Sequence, residues 1–379
     1  LPRRPPLTDI FLYGTLRHLP LLACVLGRDT AALDLTPATL PGYATHWAKG
    51  ESFPLLTGGE GAPGLLIRGL DNDDVSRLTF YEAIFGYTPQ EMTVATMTDT
   101  HSTLVFRAPD TGLVPGDPFD LDDWAALWGD ISLTAAGDAM ARFGKVAPAH
   151  LRPVMPFLRA RGWSHRLARD TAPQTLRSTM TTADVDLQGR PRRYDGFFRM
   201  EGLDLRHRRF DGSWSPRVER EGFVAFDAAL VLPYDPENDL VLVIEQMRYG
   251  PLLRHDDAPW VLEPIAGLID AGENPADCAR REAEEEAGIT LGDLRPMTKV
   301  YASPGYSSEF FHCFLGLCDL SRFDTGIGGL DEENEDIRSH VIPLARAMEL
   351  IATGEINAAP LAMMLLWVQA HRDELRAGP

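Results

Sequence analysis

Three glutamates define the first chemistry to look for. In the stretch Gly267 to Ile289, GLIDAGENPADCARREAEEEAGI, Glu282, Glu285 and Glu286 stand at i, i+3 and i+4, so on a helix they share one face. Like charges at that spacing repel. A helix that needed only solubility would mix them with lysine, so a cluster of one sign calls for a divalent cation. Carboxylate oxygens are hard ligands that suit Mg²⁺, with Mn²⁺ as the substitute, better than Zn²⁺. The helix is spelled out by its ends. Asn274 is a capping residue, Pro275 fits the first helical position, Asp277 adds a negative charge to the first turn and Gly288 is a stop. Together they predict a helix from about Pro275 to Ala287.

A second constellation lies near the start of the chain. Ile10 to Tyr13 reads as a strand that breaks at Gly14, and a glycine turn of this kind presents consecutive N–H groups that can hold a carboxylate. Asp73 to Phe85 is helical in pattern, with Val75, Leu78, Thr79 and Glu82 near one side. Glu82 then lies close to an apolar stripe, where desolvation would raise its pKa toward that of a general base.

The elements that must position these groups suggest two domains, the natural prior for 379 residues that are 44 % hydrophobic. Leu65 to Leu70 reads as a buried strand. Phe119 to Phe143 reads as one helix with Trp124, Leu127, Trp128, Ile131, Ala135 and Met140 on a core-facing side. The arginines Arg159, Arg161, Arg166 and Arg169 read as a solvated face or a dock on an acidic neighbour. Polar Thr171 to Thr182 is the candidate linker, with the main boundary near residue 178. Beyond it strands dominate. Asp211-Gly212 marks a two-residue hairpin, Ala228 to Leu232 and Leu240 to Gln246 form a second hairpin, and further strands run at Trp260 to Ile265, around Val300 and at Phe310 to Leu317. A mixed sheet with the acidic helix on one face and the C-terminal helices on the other is an α/β/α sandwich.

A formal net charge of −19 speaks against nucleic acid or an anionic membrane as partner. No apolar run nears the roughly 18–20 residues of a membrane span, and LPRRPPLTD has no signal-peptide core. The four cysteines, Cys24, Cys278, Cys313 and Cys318, form no CxxC pair. A cytoplasmic protein with reduced thiols is the expectation.

Gly267, Glu273, Arg281, Glu282, Ala283, Glu285, Glu286, Gly288 and Ile289 hold every place of the Nudix hydrolase signature, which this stretch resembles. At residue frequencies of roughly 5–7 %, such a coincidence arises on the order of once in 10⁸ to 10⁹ windows. The resemblance extends from about Tyr194 to His371 and is to the ADP-ribose pyrophosphatase branch. Pro304 sixteen places after Gly288, the acidic loop Gly329 to Arg338, and the segments Arg217 to Glu221 and Ile244 to Arg248 carry it. It implies metal ligation by Glu282, Glu286 and the carbonyl of Ala266, with Glu285 shared or in support, and Arg281 bracing Glu273. Glu333 would orient or deprotonate the attacking water, with Glu335 as fallback. Arg220 and Arg248 would hold the diphosphate and terminal ribose, and Phe197 would stack on adenine. A homodimer sharing the first strands of this domain is also implied.

Tyr13-Gly14-Thr15-Leu16 with Tyr81-Glu82 and Tyr87 resembles the γ-glutamylcyclotransferase-like fold, a small β-barrel, over roughly Thr8 to Arg107. There Tyr13, Gly14, Thr15 and Leu16 would cradle a γ-glutamyl group and Glu82 would be the base. The fusion is also similar to bacterial proteins labelled tellurite-resistance factors, although no residue here suggests an oxyanion site for tellurium.

The expected organisation is therefore α+β and α/β in two domains: a γ-glutamylcyclotransferase-like barrel over 1–115, a helical connector and linker over 116–178, and a Nudix sandwich over 179–379. The expected reaction is Mg²⁺-dependent hydrolysis of ADP-ribose to AMP and ribose 5-phosphate. The alternatives are another nucleoside diphosphate derivative such as a nucleotide sugar or NADH, a sensor of ADP-ribose without turnover, and a bifunctional enzyme whose first domain releases 5-oxoproline through Glu82.

Overall fold

The computed structural model describes residues 7–108, 112–170, 172–323, 326–329 and 335–377. The chain divides into two compact units, Leu1–Thr171 and Ala172–Pro379.

In the first unit β1 (Thr8–Leu12) leads through a single 3-10 turn, Thr15–Arg17, into α1 (Leu19–Leu26). Then follow β2 (Asp34–Ala48), β3 (Pro54–Leu70), α2 (Asn72–Ile84), β4 (Thr88–Ala95), β5 (Thr100–Arg107) and β6 (Pro115–Pro118). The strand order β3-β1-β5-β4-β2, with β2 pairing back onto β3, closes a five-stranded barrel, and β6 adds to β2. β1 is apolar without alternation because both of its faces are buried. Phe11 packs inside the barrel with Leu40, Leu66 and Val105, while Ile10 and Leu12 pack outward against α1 and α2. The start of α2 is fixed by Asp71, whose carboxylate accepts from the N–H groups of Asp73 and Asp74 at 2.9 and 3.0 Å.

The segment read as a connector is part of this unit. α3 (Leu121–Trp124), α4 (Asp130–Met140) and α5 (Met155–Leu167) supply Trp124, Ala135, Ala139, Met155 and Leu158 to the same core as α1 and α2. The single helix expected over Phe119 to Phe143 is interrupted by a π turn at Ala125–Gly129. The extra residue of such a turn shifts the helical phase, which leaves Leu127 41 % exposed instead of on the core side. The arginine patch also divides. Arg161 is buried against Asp138 at 2.8 Å, Arg169 meets Asp130 at the surface, and Arg159 turns inward.

In the second unit β7 (Val185–Gly189), β8 (Arg192–Asp195), β9 (Arg199–His207) and β10 (Val218–Val224) form an antiparallel sheet centred on β9. A turn is present at Asp211-Gly212, but with a three-residue loop, Phe210 to Gly212, in place of the expected two-residue one: Gly212 donates to the Arg209 carbonyl and Arg209 to that of Ser213, and Gly212 alone of the loop takes a positive φ, +83°. β11 (Asp227–Asp235), β12 (Leu240–Met247), α6 (Tyr249–Leu253), β13 (Trp260–Glu263), β14 (Ile265–Leu268), α7 (Pro275–Ala287), β15 (Leu294–Tyr301), β16 (Phe310–Leu317), β17 (Ile327–Gly328), β18 (Ile337–Pro343), α8 (Leu344–Thr353) and α9 (Ala359–Ala377) complete it. The β11-β12 hairpin pairs only at Tyr234 with Val241 and Asp235 with Leu240. Beyond those pairs the strands splay, β11 taking β14 and β12 taking β13 as partners. On β11, Leu230, Leu232 and Tyr234 pack against α8 and α9. The alternate residues Ala229 and Val231 therefore face the other side, where α7 contacts β11 and β14. Helices thus cover both faces of an eight-stranded mixed sheet.

Candidate active sites

α7 starts and stops where its end residues dictate. Asn274 accepts from the N–H of Ala276 at 2.9 Å. Gly288 takes the left-handed conformation at φ +63°, while Gly288 and Ile289 donate to the carbonyls of Glu284 and Ala283. Its buried side, Cys278, Ala279, Ala283 and Glu286, is made of small residues except for the glutamate. The helix therefore approaches β14 closely, and a Cβ on Gly267 would land on the carboxyl of Glu282.

Glu286 is 2 % exposed, and its Oε2 accepts from the N–H of Ala266 at 3.1 Å. Burial pushes it up to about 8, with Glu282 and Glu335 adding to the rise and the Ala266 N–H and Arg248 opposing it. Burial likewise pushes Glu282 up to about 7, opposed by Arg281 and aided by Glu285 and Glu335. Arg281 organises the rest. Its Nη1 lies 2.6 Å from Glu282 Oε1 and 2.8 Å from Glu285 Oε2. Its other donors reach Glu273, at 3.0 and 3.2 Å, and the Leu268 carbonyl. Among the described residues no three His, Cys, Asp or Glu side chains form a ready cation cage. The guanidinium occupies Glu282 and Glu285 instead, relieving the repulsion that a cation would otherwise relieve.

The donor set nonetheless suits a hard divalent cation. Glu282 and Glu286 are carboxyls that burial raises, so a charge brought close to them is felt strongly, and the Ala266 carbonyl belongs to the strand whose N–H Glu286 accepts. A pH dependence follows. The folded groups keep their protons to about 7 and about 8, against 4.5 ordinarily. Between these values the folded state binds more protons than the unfolded one, so stability falls as pH rises. The melting temperature in chelator is expected to drop from about pH 5 to about pH 8.5, less so in Glu286→Gln, with a divalent cation restoring part of it at the upper end. Equal profiles for the two proteins would overturn this account.

The remaining residues fall into two groups. Gly329 donates to the Glu285 carbonyl at 3.3 Å, and a Cβ on Gly328 would meet the Glu286 carbonyl. β17 is thereby held on the end of α7, and the charge of Glu335 reaches both buried glutamates. Glu333 lies outside the described residues. Arg248 joins the site from the residue between β12 and α6, its Nε 2.6 Å from Glu263 Oε2. Arg220 stands apart on β10, exposed, and donates to the carbonyl of Glu219 at 2.8 Å. Phe197 is 47 % exposed, with Phe198 and Phe226 at 4.8 and 6.4 Å between ring centroids. Glu263 and Glu309 escaped the sequence reading. Burial raises Glu309, and Arg248 and Glu263 act on it in opposite directions. The signal for Glu263 was a charge ending an otherwise apolar strand, Trp260 to Leu262.

The first unit encloses a cavity of about 530 Å³ lined by Tyr13, Gly14, Thr15, Leu16, Glu82 and Tyr87, among others. The turn after β1 and the end of α2 thus meet, as the two short motifs require. Burial pushes Glu82 up to about 8, and burial together with the charge of Glu82 raises Tyr87. Gly14 abuts Pro54, whose ring a Cβ would approach to 3.3 Å.

Comparison with known proteins separates the same two parts. Residues 225–363 match the NUDIX domain family and residues 10–126 match the family described as gamma-glutamyl cyclotransferase, AIG2-like. The ADP-ribose pyrophosphatase of Escherichia coli (strain K12) is 40 % identical over 204 residues, 54 % of this chain and 97 % of that protein. That of Haemophilus influenzae is 37 % identical over 195 residues, 51 % of this chain and 89 % of that protein. A GDP-mannose pyrophosphatase of Escherichia coli (APEC) is 32 % identical over 176 residues, 46 % of this chain and 90 % of that protein. In the described residues no helix is long and apolar enough to cross a membrane. With relatives this similar spanned almost end to end, and with the box geometry above, the chain belongs to the Nudix hydrolases, carrying an AIG2-like domain ahead of the catalytic one.

Proposed function

We propose that the second unit hydrolyses the diphosphate bond of ADP-ribose, with Mg²⁺, to AMP and ribose 5-phosphate. The observation that carries this reading is the 40 % identity to ADP-ribose pyrophosphatase over 97 % of its length, against 32 % over 90 % for the GDP-mannose enzyme. A diphosphate resists attack because its anionic oxygens repel a nucleophile, and bound Mg²⁺ supplies the screening charge and Lewis acidity. Glu282, Glu286 and the Ala266 carbonyl would hold it, with Glu285 shared or in support. Arg281 then keeps Glu273 and the β14 loop in place. Glu333 accepts the proton of the attacking water, or Glu335 does, the latter being already coupled by charge to Glu282 and Glu286. Arg248 faces the same buried glutamate and anchors the diphosphate. Arg220 and Phe197 bind the terminal ribose and the adenine. Arg220 lies on the four-stranded sheet, whose surroundings include the exposed aromatics Tyr194, Phe197 and Phe198, and a second copy of the chain packed there completes the site.

The test is kcat/KM on ADP-ribose, GDP-mannose and NADH with Mg²⁺ in excess. ADP-ribose is expected to lead by at least about 10-fold, the effect of roughly 1.4 kcal/mol in transition-state binding. A lead by GDP-mannose or NADH would transfer the assignment to that substrate, and absence of turnover on all three would leave a binding protein.

A further inference from the structure

The cavity of the first unit has a wall beyond the AIG2-like match. That match ends at residue 126, yet Ser132, Arg152, Met155 and Arg159 line the same space as Glu82. Arg159 enters from α5. Its guanidinium lies over the Trp128 ring, 5.0 Å from the centroid, and donates to the hydroxyl of Ser52. A ring face and one hydroxyl leave most of its five N–H donors unspent. Among the described residues no carboxylate is within ion-pair distance of it. Burial lowers its pKa, which Tyr81 and Glu51 only partly oppose. Nor does Glu82 compensate it, since burial alone accounts for the rise of that carboxyl. Arg159 and Glu82 therefore line one cavity without forming an ion pair, alongside Glu51 and Arg152, within walls contributed by Phe53, Phe106 and Trp124.

We propose that Arg159 anchors an anion-binding subsite in this cavity, taking the carboxylate or phosphate of a small molecule whose apolar body fills the aromatic lining and whose N–H or O–H group faces Glu82. A planar guanidinium with free donors is suited to bidentate contact with either anion. The assignment concerns binding, rests on a helix outside the matched family segment, and requires no turnover by the first unit.

Calorimetric titration of the full chain with N-acetylglycine, its uncharged amide and inorganic phosphate tests it. At least one anion is expected to bind and the amide to bind far more weakly. Arg159→Met is expected to weaken the anion by about 10- to 100-fold, and Arg159→Lys by less, because a lysine keeps the charge without the fork. Diphosphate hydrolysis by the second unit should be unchanged in both, and a native-like melting transition of the first unit, followed by calorimetry, serves as the control for its folding. Preference for phosphate or for the carboxylate supports the anchor and identifies its anion. As a measurement needing no variant, the bound anion should protect Arg159 in the native chain from phenylglyoxal, read by peptide mass. No binding of either anion at ~10 mM, equal affinity in Arg159→Met, or no protection would each overturn the assignment and leave Arg159 as a brace between α5 and Ser52.

Discussion

Glu286→Gln is expected to lower kcat for the diphosphate substrate by about 10³-fold or more while the protein stays folded. The loss follows from what the carboxylate contributes. Charge stabilisation by a held cation is worth several kcal/mol, and each 1.4 kcal/mol or so is tenfold in rate. The fold survives because glutamine has nearly the same shape, its carbonyl can still accept from the Ala266 N–H now 3.1 Å from Glu286, and a neutral amide is cheaper to bury than a carboxylate. The decisive measurement pairs a Mg²⁺ titration of turnover with a melting curve in chelator. A folded variant that retains near-native kcat would remove Glu286 from the proposed metal site.

Gly267→Ala is expected to cost both stability and activity, although it adds one methyl group and changes no charge. The added Cβ falls on the carboxyl and stem of Glu282, so α7 must move off β14 or Glu282 must leave its place. Overpacking of this kind costs about 1–3 kcal/mol, or a fall of roughly 2–4 °C in Tm per kcal/mol for a unit of this size. Displacing Glu282, a proposed metal ligand, by about an ångström is expected to cost about 100-fold in rate. Gly250→Ala is the control, because nothing lies within 4 Å of a Cβ there. Equal effects of the two substitutions would show that the close approach of helix and strand is unimportant.

Features set by neighbours in sequence were legible. The cap, first proline and terminal glycine of α7 need only one turn of chain to act, so its span could be read directly. The position of the turn at Gly212 was legible in the same way, although its loop is one residue longer than the pair Asp211-Gly212 suggested. What depended on distant partners was not legible. Phe119 to Phe143 keeps helical periodicity on either side of Ala125–Gly129, and one extra residue in a turn leaves no compositional trace. The apolar side of Phe119 to Phe143 announced burial without saying against what, and the segment of α5 was read only for its arginines, so these helices looked like a connector although they complete the core of the first unit. Arg159 and Arg161 are two residues apart in one arginine-rich run, yet one meets Asp138 at 2.8 Å and the other a cavity. Only the facing elements distinguish them. Among the site residues, the glutamates of α7 share a helix and were found together, whereas Glu263 joins Arg248 only because β13 pairs with β12.

Closure of the barrel by pairing of β2 with β3 also bears on how the first unit behaves in a crowded solution. A closed sheet offers no open row of backbone donors and acceptors on which a foreign strand could grow. Among the described residues the strand added outside the closed ring is β6, four residues long with proline at each end. A proline has no N–H to give, so the unit is built to resist strand-by-strand aggregation.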